Sequence, residues 1–196
     1  MVEIHKNNVI HRDLKPDNIF IDKKEGLPMI AKIGDFGLAR MLNNTNVEET
    51  ERSTTASPTL EKNSSPNKKQ KNKTSTMMSR FSSVAGTEAY MAPEIKHHYQ
   101  MGTCPKKFSD MEVNKKQDIF SIGLLLYEIC HKMKTNMQRN QLFRDLQIKR
   151  ELSKQCPLVP GVHVEYDMIL VMTQQDPHLR PSSLDIKNKW LPKWGR

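Results

Sequence analysis

The chain has 196 residues, is 36% hydrophobic and carries a formal net charge of +9. That length suits one domain with an appendage. A hydrophobic share below the usual value of about 45–50% allows a core only if some segment is mostly polar and left out of it. Three scattered cysteines, Cys104, Cys130 and Cys156, lack C-x-x-C spacing, which argues against a disulfide framework or a zinc site and for a reducing compartment. No apolar run approaches the ~18 residues of a membrane helix, and the N-terminus has no signal-peptide core. The charge fits a lysine-rich soluble protein or affinity for an acidic partner such as nucleotide, RNA or ribosome, and selects neither fold nor specific function.

Residues 1–8 read as the end of a helix leading into Val9. The apolar runs Val9-Ile10 and Ile19-Phe20-Ile21 predict two short strands, with the polar octapeptide His11-Arg12-Asp13-Leu14-Lys15-Pro16-Asp17-Asn18 as a loop held at both ends. Reactive groups on a loop and the loop on a scaffold is an economical way to build a site. After a Gly- and Pro-punctuated turn at 22–28, Met29-Ile30-Ala31-Lys32-Ile33 predicts a strand that forms a hairpin with 19–21 and places Asp35 opposite Asn18. Residues 41–85 are dominated by Asn, Ser, Thr and Lys and contain Pro58 and Pro66. They predict a disordered or mobile surface insertion. The lysine run 68–73 has the look of a nuclear-localisation or RNA patch, but such runs are more often solvated loop. His97, His98 and Cys104 lack a fourth partner at ligand spacing.

Order returns at Gly86-Thr87-Glu88-Ala89-Tyr90-Met91-Ala92-Pro93-Glu94. The stretch from Asp118 to Cys130 is apolar on nearly every face and predicts a central buried helix with an acidic residue in its first turn. Residues 136–150 predict an amphipathic helix with Leu142, Phe143 and Leu146 inward and its arginines outward, and Tyr166 to Met172 a further helix ended near Asp176-Pro177. Ser182-Ser183-Leu184-Asp185 supplies an N-terminal cap for a last helix reaching Trp190. The fold class is mainly α with a small β-hairpin, in three parts: 1–40 with the loop and hairpin, the insertion 41–85, and the helical remainder 86–196.

The octapeptide, Asp35-Phe36-Gly37 and Ala92-Pro93-Glu94 occur here in that order. They match the catalytic-loop, Asp-Phe-Gly and Ala-Pro-Glu motifs of protein kinases, and the chain outside 41–85 resembles the C-terminal lobe of the eukaryotic protein kinases. Phosphoryl transfer needs positioning and charge stabilisation more than covalent chemistry, and the resemblance implies these roles. Asp13 orients the substrate hydroxyl. Lys15 offsets the charge of the transferring phosphoryl group of ATP. Asn18 and Asp35 hold Mg2+ through oxygen, and Phe20 packs beneath the adenine. His11 and Phe36 stack between the lobes, with Gly37 closing the Asp-Phe-Gly turn. Asp118 holds the catalytic-loop backbone, and Glu94 pairs with Arg180. Lys15 two positions after Asp13 is the serine/threonine-kinase pattern, Thr87 completes the hydroxyl-accepting site, and Leu38 leans toward serine. Arg12 beside Asp13 implies control by loop phosphorylation, with Ser82 and Ser83, just before Gly86, and Thr87 as candidate acceptors.

Asp118-Ile119-Phe120-Ser121-Ile122-Gly123-Leu124 followed by Thr135-x-Met137-x-Arg139 is similar to the kinases of the alpha subunit of eukaryotic translation initiation factor 2. That resemblance implies a cytoplasmic kinase with a protein substrate, that alpha subunit as the candidate, docking on 136–150, with no membrane partner and nucleic acid not required. The eight glycines never form G-x-G-x-x-G, and no strand lysine with a helix glutamate precedes the octapeptide. The sequence therefore predicts a kinase C-lobe lacking the N-lobe, which is needed in cis or in trans for nucleotide grip. Another serine/threonine kinase and a non-catalytic half-kinase that docks or scaffolds are the alternatives.

Overall fold

The computed structural model describes residues 1–42, 87–101, 110–150, 159 and 166–190. From residue 43 onward the predicted insertion, with Ser82 and Ser83, lies outside the described residues, as do Cys104 and Cys156.

The elements run α1 (Val2–Lys6), β1 (Val9–Ile10), β2 (Ile19–Asp22), β3 (Ile30–Ile33), β4 (Arg40–Met41), α2 (Pro93–Gln100), α3 (Met111–Cys130), α4 (Asn136–Lys149), α5 (Tyr166–Met172) and α6 (Ser183–Lys189). The β-branched residues Ile19, Ile21, Ile30 and Ile33 suit the antiparallel β2–β3 hairpin, whose register pairs Ile19 with Ile33 and Asp22 with Ile30. Gly26, at φ +74°, supplies the left-handed residue of its turn. A second antiparallel pair, β1 with β4, joins Val9 to Met41 and Ile10 to Arg40. β4 thus includes Met41, the first residue of the predicted insertion.

The helical body is built on α3. Ile119, Phe120, Leu124 and Tyr127 on this helix are fully buried. Phe120, Leu124 and Tyr127 share the main core with Leu14, Tyr90, Leu142, Phe143, Leu146 and Ile169. A smaller cluster joins Ile119 to Met168, Met172 and Trp190. Gly123 lets α5 approach closely: a Cβ there would lie 2.8 Å from Thr173 Cγ2 and 3.0 Å from Met172 Cβ. The expected start of this helix was too late. It begins at Met111, capped by Asp110, whose carboxylate accepts the Glu112 N–H at 2.8 Å. Asp118 therefore sits in the helix interior, and the dipole argument belongs to Glu112 in the first turn. The opening turns, Met111 to Gln117, are mostly polar, with Met111 and the buried Val113 as their apolar residues, too few for an apolar stripe that marks a helix.

The later helices carry their signals in local chemistry. Thr135 Oγ1 accepts the Gln138 N–H at 3.1 Å and starts α4. Arg150 ends it at φ +56°, and its guanidinium donates to the Thr173 carbonyl at 2.6 Å and to the Leu170 carbonyl. That places a cation on the carbonyl end of α5, the favourable end of its dipole. Ser182 and Asp185 form the reciprocal capping box at the start of α6: Asp185 N–H donates to Ser182 Oγ at 3.1 Å and Ser182 N–H to Asp185 Oδ2 at 2.8 Å. The Ser182 hydroxyl, donating to Asp185 Oδ2 at 2.6 Å, and then the Ser182 N–H hold this acid below the usual carboxylate range. Among the described residues no helix is long and apolar enough to cross a membrane.

Candidate active site

The loop from His11 to Asn18 is fixed from three directions. Asp118, buried within α3, accepts the main-chain N–H of His11 at 2.8 Å and of Arg12 at 2.9 Å. The same carboxylate meets His5 Nε2 of α1 at 3.1 Å. Leu14 is driven into the main core at 2% exposure, and Pro16 opens a 3-10 turn through Asn18, where its missing N–H costs nothing. Arg12 adopts φ +70°, a conformation that a non-glycine residue holds only when its surroundings over-determine it. Here Asp118 holds its amide and the Leu38 carbonyl accepts from its Nε at 2.6 Å.

Three of the predicted residues meet directly. Asp13 Oδ2 lies 2.9 Å from Lys15 Nζ and 3.1 Å from Asn18 Nδ2, and Asn18 Nδ2 also donates to the Asp13 carbonyl at 2.7 Å. Asp13 is 7% exposed, and its second carboxylate oxygen, Oδ1, is buried without a partner. Leaving a buried acceptor unsatisfied is costly, so such an atom calls for a physical explanation.

Asp35 is one step displaced from the expected pairing. The register of β2–β3 brings Gly34, not Asp35, opposite Asn18, with the Gly34 N–H donating to the Asn18 carbonyl at 2.9 Å. Asp35 follows at φ 57°, ψ 73°, exposed, with Oδ1 accepting the Gly37 N–H at 3.2 Å. Gly34 also accepts from His11 Nε2 at 2.9 Å, while His11 Nδ1 accepts the Asp13 N–H at 3.4 Å, so these two bonds place the ring proton on Nε2. The His11 and Phe36 rings meet edge to face at 4.8 Å. Phe20, 56% exposed, lies over Gly34: a Cβ on Gly34 would stand 2.5 Å from Phe20 Cε2.

The donor set suits a hard cation. Asn18 has its NH2 committed to Asp13, which leaves its carbonyl oxygen, and Asp35 offers an exposed carboxylate. Among the described residues no group of three or more His, Cys, Asp or Glu forms a protein-only cage. Magnesium is bound through one or two protein groups together with phosphate oxygens, and the pair Asn18 and Asp35 fits that habit.

Thr87 opens a 3-10 turn, Thr87–Tyr90, that leads into α2. At its end Tyr90 is 4% exposed. Its hydroxyl donates to Glu128 Oε2 of α3, and its carbonyl accepts from Ser121 Oγ at 2.8 Å. Arg139 of α4 donates to the Tyr90 hydroxyl at 3.3 Å, lies 3.6 Å from Glu128 Oε1 and stacks over the Tyr90 ring at 5.5 Å. Burial, then the Glu128 hydrogen bond, pushes the Tyr90 phenol well above its ordinary range. Arg139 was expected outward with the other arginines of this helix. Instead it shares the face of Leu142, Phe143 and Leu146, the i, i+3, i+4, i+7 spacing that could have identified it.

Glu94, in the first turn of α2, meets Arg180 in a fork: Oε1 accepts from Nη1 and Oε2 from Nη2, each at 2.7 Å. Arg180 is buried at 1% exposure and also donates to the carbonyls of Gln174, Lys116 and Gln175. Its guanidinium lies 4.8 Å over the Phe120 ring.

Residues 1–191 match the protein kinase domain family. Among curated proteins, the chain is 34% identical over 92% of its length to "Eukaryotic translation initiation factor 2-alpha kinase 2" of Schizosaccharomyces pombe. It is 29% identical over 93% of its length to the eIF-2-alpha kinase GCN2 of the same organism. It is 31% identical over 91% of its length to the human serine/threonine-protein kinase Nek5. The aligned chain spans 27%, 10% and 18% of those relatives, respectively.

Proposed function

Because the chain belongs to the protein kinase family, we propose that it is the catalytic segment of a cytoplasmic serine/threonine protein kinase that transfers the γ-phosphoryl group of ATP to a serine of the alpha subunit of translation initiation factor 2. One observation carries the catalytic part: the Asp13 carboxylate is gripped on Oδ2 by Lys15 and Asn18 while Oδ1 is buried and unpartnered. Similarity to two initiation factor 2-alpha kinases supports the substrate.

In this reading Oδ1 of Asp13 accepts the hydrogen bond of the incoming serine hydroxyl and orients it in line. The bonds on Oδ2 stop the carboxylate from rotating away, which is positioning in the sense that matters for this reaction. Lys15 presents its ammonium where negative charge accumulates. Magnesium ATP, when bound, supplies the phosphoryl group and a metal charge that offsets it. Asn18 through Oδ1 and Asp35 through its carboxylate are the residues that would hold the metal, and Phe20 is the apolar floor for the base. Thr87 completes the hydroxyl-accepting site in this reading.

The grip on the nucleotide phosphates comes from a lobe outside these 196 residues, in cis or in trans. The exposed Phe20, Ile21, Ile30 and Phe36 on and beside the β2–β3 hairpin give that lobe an apolar surface to cover. Residues 136–150, where Met137 and Ile148 are exposed, are the dock for the protein substrate. Phosphorylation at Ser82, Ser83 or Thr87 fixes the loop that carries them by pairing with Arg12, whose Nε is already tied to Leu38. Similarity to Nek5 favours a second reading, a serine/threonine kinase with another substrate.

The test is transfer of labelled γ-phosphate by this chain joined to a kinase N-lobe, offered the initiation factor 2 alpha subunit and a generic serine substrate. Transfer to the alpha subunit, lost in Asp13→Asn, is expected. Transfer to the generic substrate alone selects the second reading. No transfer to either overturns both. Tight magnesium-ATP binding by the isolated 196-residue chain would contradict the external phosphate grip.

A further inference from the structure

Arg139 is an expensive residue to keep where it is. Its Nε is buried without a hydrogen-bond partner, and its charge is largely withdrawn from water, with the side chain 16% exposed. A half-buried ion pair of this kind, with Glu128 22% exposed, contributes little net stability, and an apolar residue of similar volume often does as well. Something other than stability has to account for it. Its contacts join three elements: it belongs to α4, it pairs with Glu128 of α3, and it reaches both the ring and the hydroxyl of Tyr90 at the end of the Thr87–Tyr90 turn. Tyr90 is otherwise anchored to α3, through Ser121 at its carbonyl and Glu128 at its hydroxyl. From α4 it receives the apolar edge of Phe143, at 5.5 Å, and the cation of Arg139. Apolar contact tolerates sliding and rotation. Arg139 Nη1 adds directional contacts that do not, a hydrogen bond to the Tyr90 hydroxyl at 3.3 Å and an ion pair with Glu128 Oε1 at 3.6 Å.

We infer that Arg139 is a positioning residue that locks the Thr87–Tyr90 turn to α4, so that a protein substrate seated on α4 is held in fixed register with the site that receives its hydroxyl. This rests on the reading of Thr87–Tyr90 as the hydroxyl-accepting segment and of α4 as the dock. It adds the link between them: the position of one is set by the position of the other through Arg139, Tyr90 and Glu128. The nucleotide side of the site, on Asn18, Asp35 and Phe20, has no bond to this triad and is left alone.

Two variants test it, Arg139→Met, which keeps the volume and removes the Nη1 contacts, and Glu128→Gln/Arg139→Met, which also removes the stranded carboxylate. The first readout is amide hydrogen exchange in the 196-residue chain. The Met91 N–H, bonded to the Glu88 carbonyl at 3.3 Å, reports the turn, and the Trp190 N–H, bonded to Ile186 at 3.1 Å, is the control. Exchange at Met91 should rise about tenfold or more in both variants, with Trp190 unchanged, an opening of the turn alone. A parallel rise at both amides, or no change at Met91, overturns the inference. The second readout is kinetic, in the chain joined to an N-lobe: KM for the protein substrate should rise at least about fivefold while KM for ATP stays constant. Equal movement of both, or of neither, also overturns it. The exchange result needs no catalysis, so an enzyme that transfers no phosphate defeats the kinase reading while the coupling is still decided.

Discussion

Asp118 accepts the main-chain N–H of His11 at 2.8 Å and so ties the middle of α3 to a residue 107 positions earlier. The Arg12 amide shares the same carboxylate at 2.9 Å, and both amides lie in a loop whose next residue is Asp13. Asp118→Ala strands these two N–H groups and the His5 ring. It should cost about 2–6 kcal/mol from the two main-chain N–H groups alone, at about 1–3 for each. The urea midpoint should fall with an unchanged slope. A midpoint within error of the parent would show that the loop does not depend on this anchor.

The fork between Glu94 and Arg180 gives a second, separable prediction. Removing one partner leaves a charge buried, so Arg180→Ala should destabilise by about 3–5 kcal/mol. Glu94→Gln/Arg180→Met, which removes both charges and keeps the volume, should cost clearly less than the sum of the two single variants. A double-mutant cycle on denaturation midpoints measures the difference, and strict additivity would count against a coupled pair.

What the sequence disclosed and what it hid follow a physical division. The octapeptide, Asp35-Phe36-Gly37 and the capping box at Ser182 are legible because each is a local constellation with fixed spacing. The inward face of Leu142 and Leu146 is legible from its period. The β1–β4 pair was hidden because two residues have no period. The start of α3 was hidden by a polar first stretch, and the inward turn of Arg139 by the habit of reading arginine as surface. Gly34 carried a usable signal, a glycine at a strand end beside a motif, which marks close approach of another group. Leu14 was masked by its polar neighbours, yet it is the apolar pin of the loop. His5 and Glu128 act through partners more than a hundred or several tens of residues away in sequence, and no local pattern reports such a partner.

Asp13 supplies the catalytic prediction. Asp13→Asn retains the shape and the contact with Lys15 in part, but replaces a carboxylate with a neutral amide. Phosphoryl transfer in the lobe-joined chain should fall by about 10²–10⁴-fold, the range for loss of a positioned acid–base group. The denaturation midpoint should stay the same or rise, since the buried, half-satisfied charge is gone. Undiminished turnover would remove Asp13 from the reaction. Asp35→Asn, by contrast, should raise the magnesium concentration needed for half-maximal rate, because it acts on the metal rather than on the hydroxyl.

His131 predicts a pH dependence of stability. It is buried at the end of α3, with Nδ1 donating to the Tyr127 carbonyl at 2.7 Å and its ring 4.3 Å from that of Tyr127. Burial pushes its pKa below the ordinary histidine value, and the backbone bond only partly opposes this. The folded chain therefore resists protonation more than the unfolded chain does. The stability that His131 contributes is fully present above about pH 6.5 and is lost as the pH falls through the lower folded value. Denaturation midpoints between about pH 8 and 5 should decline more steeply in the parent than in His131→Gln. Parallel curves would show that this histidine titrates equally in both states.

Gly34→Ala isolates the base-binding floor from the metal ligands. The new Cβ would stand 2.5 Å from Phe20 Cε2 and 2.9 Å from Cδ2, closer than atoms in contact allow, so the ring must move. Phe20 is more than half exposed and can swing away from the hairpin, and Gly34 has no positive φ to forbid a side chain. The cost in stability should therefore be small, about 1 kcal/mol or less, as for a surface change with room to relax. The cost in function should not be small. A displaced Phe20 no longer lies where an adenine ring would rest, while Asn18 and Asp35 keep their places. KM for ATP in the lobe-joined chain should rise several-fold, with the magnesium dependence at saturating ATP unchanged. If instead the magnesium dependence shifts and KM for ATP does not, Phe20 is not the floor and the close packing of Gly34 serves the Asp35 turn.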